Sequence, residues 1–148
     1  MNPSPANQPT FPLPTRSLLT ASILGPLGTG VLWLLIGGVG YSLEAGLTGL
    51  WSALIVTAVG LAADLLIQPW KPRAAVAWMN LWILHSLVRI AGTICLVILL
   101  YFATSPDPAT LLFSYLLCFL VGLTWETVVW TGPLRKAVLP AVREQEAE

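Results

Sequence analysis

Charge is nearly absent from this chain, and the positions where it is absent decide what the chain can become. No Asp, Glu, Lys or Arg lies between Arg16 and Glu44, an interval of 27 residues, and none lies between Glu44 and Asp64, an interval of 19. A helix crossing hydrocarbon needs about 20 consecutive apolar residues. A third uncharged interval, Ile90–Pro106, extends back through Arg89 to Leu84, and a fourth, Pro108–Trp125, extends through Glu126 to Trp130. Only 9% of the 148 residues are charged and 56% are apolar, whereas a soluble domain carries about a quarter charged residues. A soluble globular domain is excluded. The expected fold is an all-α integral membrane bundle of four transmembrane helices, at about residues 18–41, 46–68, 84–104 and 108–130. They form one transmembrane domain over 17–131, preceded by a proline-rich tail at 1–16 and followed by a polar tail at 132–148. The first tail holds too little apolar surface to offset the entropy of ordering it, so it is expected to be disordered.

The breaks between spans carry helix-stopping residues. Ser105-Pro106-Asp107-Pro108 cannot continue a helix, and Gln68-Pro69-Trp70-Lys71-Pro72 ends another. Trp51, Trp70, Trp78, Trp82, Trp125 and Trp130 fall mostly near these ends, where indole rings are expected at headgroup level. The first apolar stretch is far longer than the 7–15 residues of a signal-peptide core, so cleavage is not expected. Within it, Gly25, Pro26, Gly28 and Gly30, then Gly37, Gly38 and Gly40, fit either a kinked, closely packed helix or loosened helix ends.

The basic residues set the expected orientation. Arg16, Lys71, Arg73, Arg135, Lys136 and Arg143 flank the spans on one side, while the other two hairpins offer only Glu44 and Asp107. The positive-inside rule then puts both termini and the central loop in the cytoplasm, and an even number of spans agrees.

Several function classes drop out. Seven basic and seven acidic side chains cancel, leaving no positive field to attract nucleic acid. Cys95 and Cys118 lie in apolar runs with no CxxC and a single histidine in the chain, which makes zinc sites and disulfide frameworks poor readings. They read instead as small apolar packing residues. No HExxH, GxSxG or glycine-rich phosphate loop occurs, so neither a catalytic constellation nor a cofactor motif is expected.

The informative chemistry is what remains inside the spans: Asp64 in the second, His85 and Arg89 in the third, Glu126 in the fourth. A charge at the bilayer centre costs about 2.5–3.5 kcal/mol on insertion scales, so such groups face a partner or water. Counted from the outer hairpins, Asp64 is 20 residues from Glu44, Arg89 is 18 from Asp107, and Glu126 is 19 from Asp107. At 1.5 Å per residue all three lie about 27–30 Å deep, in one layer of the cytoplasmic half. Gly49, Ala53, Gly60 and Asp64 share one face of the second helix, His85, Arg89 and Gly92 share one face of the third, and Gly122 precedes Glu126 by one turn. Small residues let backbones approach, so Gly49, Ala53, Gly60, Gly92 and Gly122 form the expected helix-packing face. Arg89 is expected to pair with Asp64, Glu126 or both. The layer fits a structural ion pair, an ion or proton path, or recognition of a partner helix.

In the order of its parts the chain resembles the ATP synthase protein I family, small membrane accessory subunits encoded with bacterial F-type ATP synthases. A polar tail, two helices, a basic central loop, a third helix with a basic residue in its first turns and a short fourth helix follow one another over about residues 18–129. Ser52-Ala53-Leu54 through Gly60-Leu61-Ala62-Ala63-Asp64 resembles the family's second helix, with Ala63-Asp64 standing where the family has Pro-Asn. His85-Ser86-Leu87-Val88-Arg89 keeps the basic position of the family's Gly-Glu-x-x-Lys and has Ser86 in place of its glutamate. The resemblance implies a helper in assembling the membrane rotor ring of ATP synthase in the bacterial cytoplasmic membrane, with magnesium or calcium transport as a second role of the family. One chain supplies a cation only two carboxylates, Asp64 and Glu126, with Arg89 competing. A transporter would therefore gather more ligands as a homo-oligomer, and a scaffold for another partner is a third reading.

Overall fold

The structure is a computed structural model that describes the backbone of residues 10–146 and the side chains of 10–133 and 135. Residues 1–9 of the expected proline-rich tail, and the side chains of most of the expected polar tail, lie outside the described residues. Four helices follow one another: α1 (Thr15–Gly40), α2 (Leu43–Ile67), α3 (Ala75–Thr104) and α4 (Pro108–Glu146). In each, a segment of at least 18 residues is long and apolar enough to cross a membrane, which makes this a multi-pass membrane protein in contact with lipid.

The helix ends follow from local chemistry. Ser42 caps α2 by accepting the Ala45 N–H at 3.1 Å. Asp107 caps α4, its Oδ2 accepting from the Thr110 hydroxyl at 2.7 Å and the Thr110 N–H at 2.8 Å, with Pro108 in the first helical position. Those two bonds, the hydroxyl's first, hold the exposed Asp107 carboxyl below the usual carboxylate range. At the other ends, Gln68 and Ser105 adopt left-handed backbone with φ of 52° and 46°, and each is followed by a proline that stops the helix.

The α1–α2 hairpin packs over nearly its whole length, and α4 lies against both of these helices. Its contacts are made by small residues. Gly30 faces Ala53, Gly49 receives the Trp33 indole, and the Trp33 Nε1–H donates to the Ala45 carbonyl at 3.1 Å. Gly25 of α1 meets the Gly122 backbone of α4, and a Cβ built on Gly25 would stand 3.3 Å from the Gly122 Cα. Ser52 and Ser114 hydroxyls meet 3.0 Å apart beside a small core of Ala53, Val56 and Cys118. A Cβ built on Gly28, Gly38 or Gly40 would meet nothing within 4 Å. The glycines of the first span thus divide, with Gly25, Gly30 and Gly37 buried in helix contacts. Cys118 is an apolar packing residue, whereas Cys95 is exposed on α3.

Three sequence expectations are corrected. The tail assigned to residues 1–16 is ordered from Thr10: Thr10–Phe11 pairs antiparallel with Arg73–Ala74, and the Leu13 N–H donates to the Pro69 carbonyl at 3.0 Å. Leu13 is apolar enough to bury, and with Leu18, Ile67, Trp78 and Trp130 it makes a core at this end of the bundle. Trp78 and Trp130 are therefore not a headgroup belt. They are fully buried, edge to face at 5.8 Å, and the Trp78 Nε1–H donates to the Phe11 carbonyl at 2.8 Å. Trp51, Trp70, Trp82 and Trp125 are the exposed members of the set. Finally, α3 begins at Ala75, not near Leu84, and α4 runs on to Glu146 through the stretch expected as a tail. The stretch Ala75–Ile83, apolar except for Asn80, continues the helical pattern toward the loop, with Trp78 anchoring it.

Trp78→Ala deletes a buried indole and its hydrogen bond, so it is expected to cost about 3–5 kcal/mol. Thermal unfolding in detergent checks this, with Trp51→Ala, at an exposed ring, expected to leave the melting temperature nearly unchanged.

Candidate functional site

The third helix joins the bundle in an unusual way. Of its 30 residues only Trp78, His85, Arg89 and Thr93 are buried, and three of those four are polar. Their spacing of seven, four and four keeps them in one strip. The opposite strip, Val76, Met79, Ile83, Leu87, Ile90, Ile94 and Ile98, is exposed and apolar, interrupted on that face by the exposed Asn80. Polar groups bind this helix inward, and its greasy side faces out.

The strip meets a buried cluster to which all four helices contribute. The Arg89 guanidinium is fully buried and its Nη1 is paired with Glu126 Oε2 of α4. His85 Nε2 lies 3.2 Å from Asp64 Oδ1 of α2. Ser22 of α1 stands between the acids, its Oγ 2.5 Å from Asp64 Oδ2 and 2.8 Å from Glu126 Oε1. Asp64, His85, Arg89 and Glu126 are thus brought together at one level, with Arg89 on Glu126 and His85 on Asp64. Arg89 does not snorkel to the surface. Its guanidinium also lies 5.4 Å from the Phe119 ring centre, within cation–π range. Thr93 extends the strip, donating to the Arg89 carbonyl at 2.7 Å and meeting the Tyr115 hydroxyl at 3.1 Å.

The small residues divide between two tasks. Gly49 and Ala53 set the α1–α2 distance, and Gly92 lets α3 approach Val59 of α2, where a Cβ would stand 3.0 Å from its Cγ1. Gly60 and Gly122 lie against the charges, and Gly122 makes room for them. A Cβ on Gly60 would lie 3.8 Å from Glu126 Oε1 and 3.9 Å from the Arg89 Cζ, and one on Gly122 would lie 2.7 Å from Arg89 Nη2 and 3.0 Å from Pro26 Cγ. Pro26, lacking an N–H, leaves the Ser22 carbonyl without its usual donor one turn on. Ser22 was not singled out by sequence. The available signal was its position on the face that runs through Gly25, Pro26 and Gly30, one turn before the proline.

A salt bridge taken out of water stabilises a fold only when its remaining donors and acceptors are satisfied. Here Arg89 Nε and Nη2, His85 Nε2 and Asp64 Oδ1 have no hydrogen-bond partner among the described residues. No group of three or more His, Cys, Asp or Glu among the described residues is placed to hold a metal ion. A cavity of about 680 Å³ lies at the other end of the bundle, between Trp33, Tyr41, Glu44, Asp107, Thr110 and Phe113. It does not reach the charged cluster.

The chain matches no family model, no curated protein sequence and no solved structure. The cluster is therefore read from its own geometry.

Gly122→Ala is expected to destabilise the bundle by about 1–3 kcal/mol, because the new methyl meets the guanidinium and the rigid Pro26 ring together. Thermal unfolding in detergent checks it against Gly28→Ala, whose added methyl meets nothing and should leave stability equal or slightly higher.

Proposed function

We propose that this protein is a non-catalytic accessory protein of the membrane, and that its partner is the membrane rotor of an F-type ATP synthase. The observation that carries the accessory reading is that the ionisable groups of the layer face one another inside the bundle. Arg89 faces Glu126, His85 faces Asp64, and Ser22 joins the acids. Such a cluster holds four helices in register and leaves no charge directed at an outside ligand. What the protein then offers its surroundings is apolar, above all the exposed strip of α3 from Val76 to Ile98. In lipid, helices associate through packing and not through a hydrophobic drive, so a smooth apolar strip suits reversible contact with the helices of a complex under assembly.

The rotor as partner is supported by the resemblance to the ATP synthase protein I family over residues 18–129. The same reading places the protein in the bacterial cytoplasmic membrane with both termini and the Lys71–Arg73 loop on the cytoplasmic side, as the six flanking basic residues favour. Transport of magnesium or calcium is less well supported. Arg89 already occupies Glu126, and hard divalent cations take six or more oxygen ligands.

The test is assembly of the rotor ring in a strain lacking this protein. The proposal expects the tagged chain to co-purify with the rotor subunit in mild detergent, and ring subunits to accumulate unassembled when the protein is missing. A normal amount of ring without it, together with no association, would contradict the reading. Vesicles reconstituted with the protein that conduct magnesium, and lose that flux with Asp64→Asn, would replace it with transport.

A further inference from the structure

The hydrogen count around Ser22 does not close if both acids are ionised. A serine hydroxyl carries one hydrogen and can donate to one acceptor. Yet Ser22 Oγ is within bonding distance of two carboxyl oxygens, 2.5 Å from Asp64 Oδ2 and 2.8 Å from Glu126 Oε1. The second contact needs a hydrogen that only a carboxyl group can supply. Without it, two electron-rich oxygens would be pressed together in a site from which water is excluded.

Charge leads to the same count. Each group facing the site can be named by helix: α1 brings Ser22 and no ionisable side chain, α2 brings Asp64, α3 brings His85 and Arg89, and α4 brings Glu126. Two carboxylates against one guanidinium leave one uncompensated negative charge, unless a proton sits on an acid or on His85. His85 Nε2, though buried and 3.2 Å from Asp64 Oδ1, is out of hydrogen-bond alignment with it. The imidazole is thus an unpartnered group aimed into the cluster, and it is not the donor that closes the count.

We infer that Asp64 and Glu126 hold a single exchangeable proton between them through Ser22, so that the centre of the bundle is a proton-binding site. Arg89 is paired with Glu126 Oε2, so the arrangement that leaves the cation opposite a carboxylate is the one with the proton on Asp64. The bonds then run in one direction: the Asp64 acid donates to Ser22 Oγ, Ser22 donates to Glu126 Oε1, and Arg89 donates to Glu126 Oε2. Every contact has its hydrogen, and the remaining carboxylate balances the guanidinium. Passing the Asp64 proton to Ser22 while Ser22 passes its own to Glu126 exchanges the two acids' roles and conserves every proton. The site stands apart from the choice of partner, because it rests on the interior of one chain.

Infrared spectroscopy of the full-length protein in lipid at neutral pH tests this without any substitution. Aspartate is isotopically labelled at the carboxyl carbon in one sample and glutamate in another. The expected result is one carboxylic-acid C=O band that shifts with the aspartate label and not with the glutamate label. The only other aspartate, Asp107, is exposed and held ionised by Thr110, so the shifting band belongs to Asp64. Ser22→Ala should move the band by removing its hydrogen-bond acceptor, and Asp107→Asn should leave it in place. Finding only ionised aspartate in the unsubstituted protein overturns the proposal, and a band that follows the glutamate label overturns the seat on Asp64. Association with the rotor is read by a separate experiment, so either claim can fail alone.

Discussion

A guanidinium cannot give up its charge, and Arg89 keeps none of its surface in contact with water. That one burial accounts for the neighbourhood. Glu126 stands opposite it, Gly122 carries no side chain where the guanidinium must lie, and Ser22 ties the second acid to the first. Because the guanidinium comes from α3 and the groups around it from α1, α2 and α4, pairing the cation and closing the bundle are one event. The third helix shows this best, since polar residues and a single tryptophan supply all its buried positions. It joins the bundle through its polar strip.

What could be read from sequence was what depends on distance along the chain. Uncharged intervals of membrane length placed four helices, and prolines after Gln68 and Ser105 marked where two of them stop. Residue counts from the hairpins placed Asp64, Arg89 and Glu126 at one depth, and depth is a property of each helix taken alone. Which acid Arg89 takes is not such a property. It depends on the rotation of α4 against α1, fixed by the contact of Gly25 with Gly122 and by the Pro26 ring.

Ser22 was hidden for a related reason. It is uncharged, lies 104 residues from Glu126, and gains its role only when α1 and α4 meet. The tryptophans show the opposite error. Proximity to a helix end points to a headgroup position for Trp78 and Trp130, but Leu13 and Phe11 fold back over that end and bury both. A tail read as too polar to fold contained the apolar residues needed to do it.

The central claim is that a buried Arg89–Glu126 pair couples the helices. A double-mutant cycle measures it most directly, comparing Arg89→Gln, Glu126→Gln and the combination by reversible unfolding in mixed micelles. Either single substitution leaves an uncompensated buried group and should cost about 3–5 kcal/mol. The double variant should cost clearly less than the sum. If the two losses add to within about 0.5 kcal/mol, the side chains are energetically independent and the account is contradicted.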